Sequence, residues 1–152
     1  MRKMFLITAV CILLLITGCG KETDFSLNTK TEYTYNAHCE GYDLIFTPTI
    51  LTVTDSSGII TEPVYVDIPA RIVQFENLKI NADELFTEYS IFTLGELLYK
   101  ILSNTLQSQA NTENNELILS GTYIKPYILI LDKKTATPLK LEYNGKTVYF
   151  ES

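Results

Sequence analysis

The chain has 152 residues, 46% of them hydrophobic and 20% charged, with 12 basic against 18 acidic side chains and a net charge of −6. That length suits one domain with a core of useful size. The basic residues are scattered and not interleaved with aromatics, so binding driven by phosphate neutralisation is excluded and no nucleic-acid partner is expected.

Arg2 and Lys3 open the chain, and residues 4–16 are apolar apart from Thr8. A basic start, an apolar run of roughly 7–15 residues and small residues at its end are the make-up of a secretory signal. The run is shorter than the about 20 apolar residues that a spanning helix needs. Within this frame Ile16-Thr17-Gly18-Cys19 resembles the lipobox of bacterial lipoproteins: a branched apolar residue, a small one, glycine, then cysteine. The resemblance implies a diacylglycerol thioether on Cys19 and cleavage between Gly18 and Cys19. The expected organisation is a signal peptide over 1–18, a lipidated tether over 19–23 and a single domain over 24–152. The expected location is the extracytoplasmic face of the cell membrane, held by lipid, since two acyl chains anchor stably where one is marginal.

Once Arg2 and Lys3 leave with the signal, ten basic and 18 acidic side chains remain, a charge of −8. Anionic headgroups repel such a domain, so the lipid and not the protein surface is expected to hold it to the membrane. Cys11 leaves with the signal and Cys19 is acylated, so Cys39 has no internal disulfide partner. A buried, inert thiol is the expectation for it.

Beyond the tether, residues 25–37 alternate with period two and are rich in Thr and Tyr, which predicts one long strand. Glu40-Gly41 marks a turn, and residues 42–47 and 50–54 read as strands with Pro48 between them at an edge or loop. Asp55-Ser56-Ser57-Gly58 is a turn cluster. A strand is expected over 59–68, and residues 71–75 and 78–81 flank Glu76-Asn77 as a hairpin. Residues 81–88 are expected to add a short helical turn, from the Asn81 and Glu84 spacing.

Leu94, Leu97, Leu98, Ile101, Leu102 and Leu106 then fall at i, i+3, i+4, i+7, i+8 and i+12, one apolar helix stripe. Thr93 and Glu96 have the spacing of a capping box. Residues 108–115 are polar and read as a loop. Strands are predicted over 116–123, 127–132, 139–143 and 146–151, with Lys125-Pro126 as the first connection and 133–138 as a longer turn. Asn144-Gly145 is the sharpest hairpin signal, because a type I′ turn needs two residues at positive φ. The fold class is therefore mainly β (α+β): a curved antiparallel half-barrel of about eight strands packed on one amphipathic helix, which covers its one buried face.

The order of strands, one helix and a terminal four-strand meander resembles the LolA/LolB-like lipoprotein carrier superfamily. It is most similar to small Firmicute lipoproteins related to the spore-germination lipoprotein GerS. Residues 71–80 (RIVQFENLKI) and 94–102 (LGELLYKIL) carry the likeness, with Gly121-Thr122-Tyr123, Ile128-Leu129-Ile130-Leu131-Asp132, the Thr137-Pro138-Leu139 corner and Val148-Tyr149-Phe150. The chain departs from the superfamily in having no amphipathic helix predicted ahead of its first strand. The resemblance implies two roles: binding an envelope protein, as the germination branch does with a cell-wall amidase, or holding acyl lipid inside the half-barrel.

Candidate chemistry is sparse. His38-Cys39 is the one pair that suggests nucleophilic or metal chemistry, but neighbours on a strand point to opposite faces and cannot meet. Asp83-Glu84 and Glu113/Glu116 sit at a helix start and in a predicted loop, where solvation and the helix dipole already favour carboxylates. No G-x-S-x-G, phosphate-cradling glycine loop or calcium loop is present. Ten tyrosines offer either strand stability or interface anchors. The expected function is a non-enzymatic, membrane-anchored binding module for an envelope or spore-wall protein, without cofactor or metal. The alternative is a lipid or lipoprotein carrier using an apolar groove between sheet and helix.

Overall fold

The computed structural model describes residues 32–151. The expected signal peptide, the tether and the start of the first predicted strand, up to residue 31, lie outside the described residues.

Six strands precede the helix: β1 (Tyr35–Cys39), β2 (Tyr42–Phe46), β3 (Ile50–Asp55), β4 (Val64–Asp67), β5 (Ile72–Phe75) and β6 (Leu78–Asn81). A 3-10 turn (Asp83–Leu85) and the helix α1 (Phe92–Leu102) follow. Five more strands complete the chain: β7 (Ser108–Glu113), β8 (Glu116–Tyr123), β9 (Lys125–Asp132), β10 (Pro138–Tyr143) and β11 (Lys146–Phe150). All eleven form one antiparallel sheet in the order β6-β5-β4-β3-β2-β1-β11-β10-β9-β8-β7. Among the described residues the fold is mainly β, with a single open sheet and one α-helix, and eleven strands stand where about eight are expected.

The order has a direct consequence. Each half is a simple meander, the halves meet at β1 and β11, and the two sheet edges, β6 and β7, follow one another in the chain. Their connection, which contains α1, must span the width of the sheet. Burial alternates along the strands, as in Tyr42–Phe46 and Lys125–Asp132, so one face is apolar. Register lines the apolar residues up in rows: Phe46, Leu51, Val66 and Val73 in one half, and Leu119, Leu129, Leu141 and Val148 in the other. The helix stripe joins both halves in one continuous core. Gly95 lets the helix approach closely, since a Cβ there would stand 3.0 Å from Leu51 Cβ and 3.2 Å from Ile68 Cδ1.

Several local expectations are corrected. Residues 108–115 are not a loop: Ser108–Glu113 pairs with β8 through Asn114 and Asn115, both at positive φ as a type I′ turn requires. This edge strand is polar and exposed, so it carries no apolar alternation, and polarity is how edges avoid unwanted pairing. The strand expected over 59–68 shrinks to Val64–Asp67. Ile59 and Ile60 instead project from a loop organised by Asp55, whose carboxylate accepts from the Ser57 amide and hydroxyl and from the Ile60 amide. Lys125-Pro126 is not a connection but the start of β9, with Ile124 at φ +43° as the single linking residue.

The capping box does not form. The helix starts at Phe92, whose amide donates to Ser90 Oγ at 3.1 Å. Thr93 is buried within the first turn and its hydroxyl donates to the Thr87 carbonyl at 2.6 Å, while the Glu96 carboxylate turns to Arg71. A carbonyl six residues back and an arginine 25 residues away replace the partners that the spacing suggested. At the far end Asn104 takes φ +56°, and the amides of Thr105 and Leu106 both donate to the Lys100 carbonyl, which ends the helix before Leu106.

Candidate functional site

The lipidation and cleavage residues, Gly18 and Cys19, lie outside the described residues. Of the helix face, Leu94, Leu97, Leu98, Ile101 and Leu102 are brought together, none more than 1% exposed. Leu106 is not on the helix; it is half-buried and packs against the core from the loop beyond. The space between helix and sheet is filled by these side chains and by Leu51, Leu129, Leu131, Leu141 and Val148, all at 0% exposure.

At the β6 edge the cover ends. Register places Leu78 beside Phe75 and Ile80 beside Val73, extending the apolar rows of the covered face. Leu78 is 62% exposed and Ile80 43%. An open depression of about 400 Å³ lies elsewhere, around the Asn144–Gly145 hairpin, lined by Pro126, Ile128, Glu142 and Thr147 among others.

Among the described residues one group of charges is buried enough to matter, and it joins residues far apart in the sequence. Arg71, at φ +51° just before β5, places Nη2 3.0 and 2.9 Å from the two carboxylate oxygens of Glu96. Its guanidinium carbon lies 5.0 Å over the Phe86 ring, and Nη1 is 3.6 Å from Asp83. Lys100, one turn along the helix, holds Glu96 at 3.6 Å and stands 5.6 Å over the Tyr123 ring. Burial, then the charge and hydrogen bonding of Glu96, push the Tyr123 phenol up to about 12. The Glu96/Lys100 spacing of i, i+4 was a visible signal, but Arg71 lies 25 residues away in sequence. This cluster ties α1 to β5 and β8, and every charge in it is already paired.

His38 and Cys39 take opposite faces of β1. Cys39 is a free, buried thiol, raised above its ordinary value by burial first and Glu40 second. His38 is on the exposed face between Asp43 and Glu151. Asp83 and Glu84 occupy the 3-10 turn, and Glu113 pairs with Glu116 across the β7–β8 turn.

The tyrosines divide. Tyr127 and Tyr143 are core residues, Tyr127 Oη bonding Ser108 Oγ at 2.6 Å, whereas Tyr149 is 58% exposed. Tyr33 and Tyr35 stack at 5.1 Å, and Tyr35 meets Phe150 edge-on at 6.1 Å. Among the described residues no helix is long and apolar enough to cross a membrane, and no three His, Cys, Asp or Glu side chains are grouped to hold a metal ion.

No family model matches the chain, and no curated protein or solved structure matches it significantly.

Proposed function

We propose that this chain is a bacterial lipoprotein, acylated on Cys19 after cleavage behind Gly18, that sits on the extracytoplasmic face of the cell membrane. Its domain acts as a LolA-like half-barrel that binds an envelope or spore-wall protein, a cell-wall amidase being one candidate, and catalyses no reaction. A sheet whose two edges are joined by one helix, with that helix packed on both halves, is consistent with a half-barrel.

The observation that carries the choice of role is the filled space under the helix. A carrier needs a roomy apolar cavity, and ligand sites commonly run to about 300–1,000 Å³. Here the five leucine and isoleucine side chains of α1 are closed against the sheet, so acyl chains have no place between them. Apolar side chains are instead presented outward, at Leu78 and Ile80, as a partner-binding surface presents them.

Native mass spectrometry of the unlipidated chain from residue 20, exposed to fatty acids and phospholipids, tests the role. Binding of no lipid, together with recovery of an envelope protein by the lipidated form, is the expected result. Stoichiometric retention of one lipid puts the carrier reading first.

The anchor has its own test. Cys19→Ala is expected to abolish acylation and move the protein out of the detergent phase on partitioning. Equal partitioning of mutant and wild type sinks the assignment of Cys19.

A further inference from the structure

We propose that the seam between β1 and β11 is a pH-responsive joint, pinned by a positively charged His38 that bridges the two halves of the sheet.

The seam differs from every other strand junction. All other neighbouring strands are consecutive in the chain and tied by their own connection, whereas β1 and β11 belong to opposite ends of the described chain. Their ladder is also short. It has two register pairs, Ala37 with Phe150 and His38 with Tyr149, against five between β1 and β2. One further backbone bond, from the Glu151 amide to the Asn36 carbonyl at 2.9 Å, extends it.

Side chains therefore matter more here than elsewhere. Lys146 Nζ of β11 reaches Glu40 Oε2 in the β1–β2 turn at 2.6 Å, and His38 Nε2 of β1 reaches Glu151 Oε1 just past β11 at 2.8 Å. His38 Nδ1 is also 2.5 Å from Asp43 Oδ1 on β2. Both ring nitrogens thus face carboxylate oxygens, which accept and do not donate. A neutral imidazole has one N–H and can serve one of them; serving both requires the imidazolium. Loss of the proton leaves a nitrogen lone pair facing a carboxylate. If the remaining N–H stays with Asp43, the closer partner and a member of the same half, the bond that breaks is the one across the seam.

The surroundings agree with this assignment. Asp43 faces His38 from β2, with uncharged Thr54 of β3 beside it in register. On the other side stands the cross-strand neighbour Tyr149, then Lys140 of β10, 6.0 Å from the Tyr149 ring and paired with Glu142. The hydrogen bonds to Asp43 and then Glu151 hold the imidazole above its ordinary value, against an opposing desolvation. A raised folded value means that the stabilisation is fully present below the unfolded value of about 6.5, and is lost as pH rises through the raised value.

The test uses the full chain in detergent micelles, since His38 is its single histidine. Its ring is followed by NMR against pH, and exchange of the Glu151 and Tyr149 amides is measured with correction for intrinsic rates. His38 is expected to titrate above the ordinary histidine value, and Asp43→Asn or Glu151→Gln to lower it. The seam amides are expected to lose protection severalfold as His38 deprotonates, while the Leu141 amide is unchanged. In His38→Gln, seam protection is expected to be independent of pH. A ring that titrates at or below the ordinary value overturns the proposal. So does wild-type seam protection that follows the His38→Gln curve across the titration.

Discussion

Leu98→Ala and Ile101→Ala are each expected to destabilise the domain by about 2–5 kcal/mol, the range for truncating large buried aliphatic side chains. Both residues sit in the middle of the stripe, at 0% and 1% exposure, within the core that the helix shares with both halves of the sheet. The loss has two parts. Transfer of the removed methyl groups from the core accounts for one, and the cavity left between helix and sheet for the other. A helix joined to the sheet on both sides has little freedom to settle into that cavity, which places the cost toward the upper part of the range. Urea unfolding of the unlipidated chain measures it, the midpoint falling at unchanged slope. A loss below about 0.5 kcal/mol, typical of surface sites, is incompatible with a stripe closed against the sheet. It would reopen the case for a groove that holds lipid.

The apolar stripe from Leu94 to Leu102 was legible because a period of 3.6 residues depends only on which face is buried. The turns at Glu40-Gly41 and Asn144-Gly145 were legible because glycine at positive φ is a local requirement, met here at +86° and +80°. Asn114-Asn115 makes the same kind of turn with asparagine alone, and the polar strand leading into it has no apolar alternation to announce it. Ile59 and Ile60 misled in the opposite direction. Two β-branched residues suggest a strand, yet the Asp55 and Ser57 side chains capture their amides and turn them outward.

The candidate site was legible in a different measure. The lipobox resemblance rests on residues 16–19, outside the described chain, so Cys19 stands on the sequence. The exposure of Leu78 and Ile80 was not legible, because it follows from β6 being an edge. Strand order decides that, and it depends on the distant meeting of β1 with β11. The capping residues fared likewise: Thr93 and Glu96 have the right spacing, but Thr93 bonds the Thr87 carbonyl and Glu96 the distant Arg71.

Arg71→Ala is expected to cost about 2–3 kcal/mol, and more than Glu96→Ala, although the two residues share one ion pair. Removing one member of a buried pair costs about 3–5 kcal/mol because the other charge is left without compensation. The pair is asymmetric, however: the Glu96 side chain is 10% exposed and that of Arg71 36%. Without Arg71, a nearly buried carboxylate keeps only Lys100 at 3.6 Å and the Tyr123 phenol. The Phe86 ring also loses the guanidinium packed over it. The cost falls short of the full buried-pair figure because Lys100 remains and water already reaches Arg71. Without Glu96, Arg71 falls back on solvent and on Asp83 at 3.6 Å, so a loss of about 1 kcal/mol, the worth of an ordinary hydrogen bond, is expected. The backbone strain at residue 71, φ +51°, is common to arginine and alanine and cancels in the comparison. The double variant should then be more stable than Arg71→Ala alone, since no carboxylate remains to be stranded. Denaturant unfolding of the three variants completes the cycle. Equal losses from the two single changes, or a double variant at their simple sum, would show the pair to be solvated in both partners. The tie between α1, β5 and β8 would then rest on apolar packing alone.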